Sequence, residues 1–299
     1  MNFADRLTDA VRRTRSVVCV GLDPRTASLP PAIVGEQTPT GAHGWADAYR
    51  RFCVDVIDAV AGKVPVVKPQ SAFFEALGPP GVAALADVVR HARSRGLLVI
   101  IDAKRGDIGS TAEAYAAAYL GADSPFGGDC VTVSPYLGGD SLTPFVDRGD
   151  STGTGVFVLV KTSNPGGGTF QDLKHDGGMV YQSVAGHLSE LNASRIGASG
   201  YGPVGAVVGA TYPEQLSELR ETLSTSYLLI PGFGAQGGGA DDVRGGFDAA
   251  GLGAVVNSSR HIIFAHLRQP YADRFADNDW QRAVEAATDD MNQQLDFVR

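Results

Sequence analysis

The chain has 299 residues, 43% of them hydrophobic and 19% charged, enough to bury a sizeable core, and its net charge of -8 argues against nucleic acid, which needs a basic face. No stretch approaches the roughly 20 apolar residues of a membrane span, and Met1-Asn2-Phe3-Ala4-Asp5-Arg6 lacks the run of a signal peptide, so a cytoplasmic protein is expected. Cys19, Cys53 and Cys130 sit in apolar runs without C-x-x-C spacing, and the six histidines form no H-x-x-x-H pair, so neither a disulfide nor a protein-built metal site is predicted.

In chain order, short β-branched apolar runs fall at residues 17–21, 64–68, 97–102, 130–134, 155–161, 205–209, 227–231 and 252–257. Stretches of helical period lie between them at 46–61, 82–95, 111–120, 180–192 and 213–223, with an N-terminal helix before them and a closing helix at 280–297. Near-continuous apolar strands that alternate with helices predict a parallel sheet covered on both faces. Eight such units predict a closed (β/α)8 TIM barrel, α/β in class, as a single domain over 1–299. An open doubly wound sheet is the runner-up, but the turn after the first run reads Gly21-Leu22-Asp23-Pro24-Arg25 and lacks the G-x-G-x-x-G of a dinucleotide fold. Neither the Pro/Gly/Thr-rich insert 26–44 nor the polar, Gly-rich insert 163–178 can build a core; the first is expected to decorate the surface and the second, directly after strand five, to act as a lid.

Barrel active sites form at the C-terminal strand ends, and the polar residues fall there: Asp23, Lys68, Gln70, Asp102, Lys104, Ser134 and the run Lys161-Thr162-Ser163-Asn164. In the third strand, alternation sends Asp102 and Lys104 to one face, with Gly106 breaking the strand and Asp107 opening the loop. A strand-end ion pair is the plainer reading, but composition speaks for chemistry. Of 25 basic residues only 5 are lysines, and three of these, Lys68, Lys104 and Lys161, close apolar runs. An ammonium can give up its proton, whereas a guanidinium stays charged at any working pH.

Strand seven leads into Pro231-Gly232-Phe233-Gly234-Ala235-Gln236-Gly237-Gly238-Gly239, and strand eight ends in Asn257-Ser258-Ser259-Arg260. Loops after strands seven and eight often hold a phosphate through backbone N–H groups. Gly234 and Gly237 allow the close approach, and Gln236, Ser259 and Arg260 complete the expected phosphate loop.

With these motifs in place, the chain resembles the orotidine 5'-phosphate decarboxylase family, in its longer bacterial and archaeal subgroup. The resemblance rests on Gly21-Leu22-Asp23-Pro24, Lys68-Pro69-Gln70 with Phe73-Phe74-Glu75, and Asp102-Ala103-Lys104-Arg105-Gly106-Asp107-Ile108-Gly109-Ser110-Thr111. Ser134-Pro135-Tyr136-Leu137-Gly138, Thr162-Ser163-Asn164-Pro165 and the Gly-rich loop after strand seven follow in order. The resemblance implies decarboxylation of orotidine 5'-phosphate to uridine 5'-monophosphate, a step of pyrimidine synthesis, without metal or other cofactor. It implies that Lys104 protonates C6, that Asp102 sits against the departing carboxylate between Lys68 and Lys104, and that Asp107 completes the charged chain. It further implies that Asp107, Ile108 and Thr111 reach the site of a partner subunit, so that the protein is a homodimer. Asp23 and Lys68 would bind the ribose, Ser134 the pyrimidine, and Gln236 and Arg260 the phosphate, with Thr162 a further substrate-binding residue. A magnesium-dependent sugar-phosphate decarboxylase or aldolase of the same barrel superfamily is the rival, with Asp23 and Asp102 as ligands. A catalytically silent nucleotide-binding protein is the third reading.

Overall fold

The computed structural model describes residues 1–233 and 239–296. Eight parallel strands form the barrel: β1 (Val18–Leu22), β2 (Val66–Pro69), β3 (Leu98–Arg105), β4 (Cys130–Val133), β5 (Gly155–Lys161), β6 (Val204–Val208), β7 (Leu228–Pro231) and β8 (Ala254–Ser258). They pair in the closed order β1-β8-β7-β6-β5-β4-β3-β2, so β1 aligns Val18 with Val256 of β8 and Cys19 with Val66 of β2. Closure removes both edges, and with helices outside, β1, β2, β4, β6 and β8 are buried along their whole length. That two-sided burial is why the strands read as unbroken apolar runs rather than alternating ones.

The larger helices are α1 (Phe3–Thr14), α2 (Gly41–Val60), α3 (Gly78–Ser94), α4 (Gly109–Tyr119), α5 (Thr143–Thr152), α6 (Val180–Asn192), α7 (Pro213–Thr222) and α8 (Trp280–Gln294). A reciprocal cap starts α1: Asn2 accepts from the Asp5 amide at 2.9 Å, and Asp5 accepts from the Asn2 amide at 3.2 Å. At the other end of the chain, Trp280 is fully buried and stacks on Phe52 of α2, with ring centroids 5.3 Å apart. Burial of side chains this size contributes about 2 kcal/mol each, which fastens α8 across the barrel.

The TIM barrel stands as predicted, and two local expectations need correction. Residues 26–44 do contribute to the core: Leu29 and Ile33 are buried in it, and Gly41 already begins α2. Pro31–Val34 forms a short helix whose proline occupies its first turn, which lets Ile33 face inward from a stretch too short and proline-rich to show helical period. Second, α5 has no counterpart among the predicted helices, because TPFVDRGDST is rich in weak helix formers; burial of Phe145 and Val146 holds it in place. β3 ends at Arg105, just before the break expected at Gly106, with a register shift between Ile101 and Arg105 against β4. That irregularity falls where the charged residues begin.

Candidate active site

At the mouth of the barrel, β2, β3 and β4 converge on one carboxylate. Asp102 is buried, and each of its oxygens accepts two hydrogen bonds. Oδ2 takes Lys68 Nζ at 2.7 Å and Gln70 Nε2 at 2.9 Å; Oδ1 takes Lys104 Nζ at 2.5 Å and Thr132 Oγ1 at 2.9 Å. Four donors on one buried carboxylate satisfy it fully, which is the condition for burying charge at tolerable cost. Burial alone would raise the Asp102 pKa, but Lys68 and Lys104 outweigh it and hold the carboxyl well below the usual range. Burial likewise opposes the charge on Lys68, and Asp102, helped by Asp23, more than offsets it, so the Lys68 pKa is raised.

The two ammonium groups are not equivalent. Lys68 has a side-chain exposure of 6%, whereas Lys104 keeps 47% of its side chain open at the end of β3. Lys104 also has φ of +47°, in the left-handed region that side chains other than glycine rarely adopt. Its backbone N–H donates to Thr132 Oγ1 at 2.9 Å, so one threonine fixes both the carboxylate and the lysine backbone. Such a conformation costs on the order of 1–3 kcal/mol and persists where the surroundings over-determine it. Pointing the other way from β3, Arg105 bonds Tyr119 Oη through Nε at 3.1 Å and pairs with Glu75, which clamps the strand from outside.

A pocket lies across the mouth, lined by Asp23, Ser163, Gly232, Phe233, Asn257, Ser258, Ser259, Arg260 and His261. Two acceptors in it, Asp23 Oδ1 and Asn257 Oδ1, are buried without a donor among the described residues. Buried orphan acceptors call for donor groups, and sugar hydroxyls have the required chemistry. Gly21 is glycine for a steric reason: a Cβ there would lie 1.8 Å from Ser259 Oγ and 3.2 Å from Asn257 Oδ1. Arg260 is exposed at the start of a short helix, Arg260–Ile263, on the rim of this pocket.

The residues predicted from sequence therefore divide into groups. Asp102, Lys104 and Lys68 meet directly; Asp23, Ser259 and Arg260 line the adjoining pocket. Ser134 is half-buried just past β4, its N–H donating to Arg105 O at 2.8 Å, and Thr162 is half-buried just past β5. Asp107 Oδ1 accepts from the Ile108 amide at 2.8 Å and meets neither Lys104 nor Asp102 within the chain; Ile108 and Thr111 are exposed beside it. Gly234, Gln236 and Gly237 lie outside the described residues. Lys161, grouped with the chemical lysines by its strand-end position, belongs elsewhere: it is fully buried and paired with Asp172. Sequence reasoning did not single out Thr132, and placed Asn257 at the end of strand eight without a role. Each carried one available signal, a polar residue inside an otherwise apolar run.

A parallel (β/α)8 barrel with a lysine–carboxylate–lysine centre at its strand ends, beside a polar pocket on β1, β7 and β8, defines an enzyme that works on a small anionic substrate. The chain belongs to the orotidine 5'-phosphate decarboxylase / HUMPS family, whose model matches residues 16–274. It is 60% identical over 299 residues to the orotidine 5'-phosphate decarboxylase of Rhodopirellula baltica, with 99% of each chain covered. The enzyme of the same name from Deinococcus radiodurans is 43% identical over 264 residues, 88% of this chain and 89% of that one. Among solved structures, Leishmania donovani OMP decarboxylase superposes with a TM-score of 0.76 at 33% identity, covering 100% of this chain and 98% of that one. A Streptomyces avermitilis protein provisionally given the same activity superposes with 0.82 at 40% identity, covering 99% and 95%.

Proposed function

We infer that the chain decarboxylates orotidine 5'-phosphate to uridine 5'-monophosphate and carbon dioxide, with Lys104 as the proton donor. Family membership and a relative 60% identical over the full chain support the reaction. One observation supports the roles: a single buried carboxylate is held between a buried lysine and a half-exposed one.

Loss of carbon dioxide from C6 leaves an electron pair in an orbital the pyrimidine ring cannot delocalise, so a fixed positive charge must meet it. Lys104 supplies that charge at short range and then transfers its Nζ proton to C6. The charge is preorganised because Asp102 and Thr132 hold side chain and backbone before substrate arrives. Asp102, ionised by its two lysines, faces the substrate carboxylate and repels it until carbon dioxide departs; we rank this below the ammonium term. Lys68 keeps Asp102 ionised, and with Asp23 meets the ribose hydroxyls. Ser134 and Thr162 border the pyrimidine, while Ser259, Arg260 and the loop with Gly234, Gln236 and Gly237 take the phosphate. Binding energy from that remote phosphate can be used to order loops and lower the barrier at C6.

Asp107 completes the site from a second copy of the chain in this reading, which makes the protein a homodimer. Supporting it, Ile108 is 55% exposed and Leu137 51% exposed beside the mouth, an apolar surface that a partner would cover. The cytoplasm is the compartment that fits a step of nucleotide synthesis, and among the described residues no helix is long and apolar enough to cross a membrane.

The magnesium-dependent rival fits poorly, because both oxygens of Asp102 already accept from ammonium groups that would repel a divalent ion. The test is loss of orotate absorbance when orotidine 5'-phosphate meets the purified protein in excess chelator. Turnover to uridine 5'-monophosphate is expected; activity that appears only on adding magnesium would overturn the reading.

A further inference from the structure

Among the described residues, Lys161 is the one fully buried lysine or arginine that the reaction does not use. It ends β5, is fully buried, and pairs with Asp172. Its ammonium also lies 5.3 Å from the ring centre of Tyr181 on α6 and 4.8 Å from that of Tyr212, just before α7. Two aromatic faces and one carboxylate make a specific socket for a cation. A buried lysine is costly, and a well-packed apolar residue would usually serve stability as well or better. Its presence asks for another reason.

That reason lies in the loop it holds. Asp172 is not on a neighbouring strand but at the far end of the segment that leaves β5. One residue earlier, Gln171 makes a second closure: its Oε1 accepts from the Thr162 amide at 3.0 Å, and its Nε2 donates to Thr162 Oγ1 at 2.7 Å. The pairs Lys161–Asp172 and Thr162–Gln171 therefore close the neck of a loop, residues 163–170, that stands over the barrel mouth. One end of this loop, Ser163, lines the pocket with Asp23, Asn257 and Arg260. The other end carries Phe170, which meets Tyr136 edge-on at 6.3 Å, beyond Ser134. Ser163 is further wedged against the end of β6, where a Cβ on Gly209 would lie 2.9 Å from its backbone nitrogen, and the Gly209 amide donates to Lys161 O at 2.7 Å.

We propose that Lys161, through Asp172, is a positioning residue that clasps the neck of the post-β5 loop and so fixes Ser163 and Thr162 against the bound nucleotide. The inference rests on the decarboxylase reading for what the loop positions, but the clasp itself can be tested without turnover. Lys161 touches no reacting atom. Its effect reaches substrate through loop order, so KM carries more of it than kcat.

The experiment compares Lys161→Met with the double variant Lys161→Met/Asp172→Asn, in which both charges are gone and no carboxylate is left unpaired. Four quantities are read for each: melting temperature, amide exchange across residues 162–172, and kcat and KM for orotidine 5'-phosphate. The double variant is expected to melt within a few degrees of the parent, since it removes the pair whole and leaves neither the buried Lys161 charge nor the 39%-exposed Asp172 charge unpaired. Its loop amides should nonetheless exchange faster, and KM should rise on the order of 10-fold or more, as expected when a contact surface is loosened by about an ångström. A double variant with parental exchange and parental KM would overturn the proposal and leave Lys161 a stability element only. Faster exchange at 162–172 in a protein whose parent does not turn over orotidine 5'-phosphate would sustain the clasp and refute the reaction instead.

Discussion

Two lysines share Asp102, and the structure predicts that they separate cleanly by stability. Lys68→Met removes a cation with 6% side-chain exposure and leaves a buried carboxylate with one ammonium in place of two. Breaking a buried pair from one side costs about 3–5 kcal/mol, and the lower end applies because Lys104, Gln70 and Thr132 still donate. At about 2 °C per kcal/mol for a chain of this size, the melting temperature should fall by about 6 °C. Lys104→Met also leaves Asp102 with one ammonium, but the cation it removes is 47% exposed and its place opens to water, so it should cost less than Lys68→Met, on the order of 1–2 kcal/mol, and shift melting by about 2–4 °C. Both variants should lose turnover. Differential scanning calorimetry at pH 7 with a parallel activity assay reads both quantities. Equal destabilisation by the two substitutions would refute the argument, because it would make Lys104 a structural partner rather than a group kept free for substrate.

Asp102→Asn should lower stability by a constant amount from about pH 5 to 9. A carboxylate held below its ordinary range stabilises above the unfolded value and loses that contribution only as pH falls below about 4. Melting curves across pH check this, and a gap that widens or closes between pH 5 and 9 would contradict it. Gly21→Ala must push Ser259 aside, since the new Cβ would sit 1.8 Å from its Oγ; we expect a loss of about 1–3 kcal/mol and weaker binding of uridine 5'-monophosphate. Unchanged melting and affinity would show that Ser259 moves at no cost. Inactive Lys104→Ala and Asp107→Ala chains, mixed under exchange conditions, should regain up to about a quarter of parental activity if Asp107 serves the partner's site; a mixture that stays silent would place Asp107 elsewhere.

How much was legible before the structure follows from which forces act locally. Strands buried on both faces leave an unbroken apolar signature, so all eight were located to within a few residues. Strand alternation alone pairs Asp102 with Lys104, and the two do meet, although β3 shifts register beyond Ile101 and Lys104 adopts a left-handed backbone. Thr132 was not legible as a site residue, because what makes it one is the closure of β4 against β3, a contact 30 residues apart in sequence. Lys161 misled for the same reason. Position at a strand end does not reveal which way a register shift turns the side chain, and here β5 shifts between Leu159 and Lys161 against β6. The helix at Thr143–Thr152 and the burial of Ile33 also depend on tertiary packing that outweighs weak local propensity.

The central claim is that Lys104 acts on the transition state and not on ground-state binding. Measuring kcat for orotidine 5'-phosphate alongside the dissociation constant for uridine 5'-monophosphate in Lys104→Ala tests it most directly. The account predicts turnover reduced below detection with product affinity within a few-fold of the parent, since the pocket of Asp23, Asn257 and Arg260 is left intact. Product affinity that falls in step with turnover would make Lys104 a uniform binding residue and contradict the mechanism.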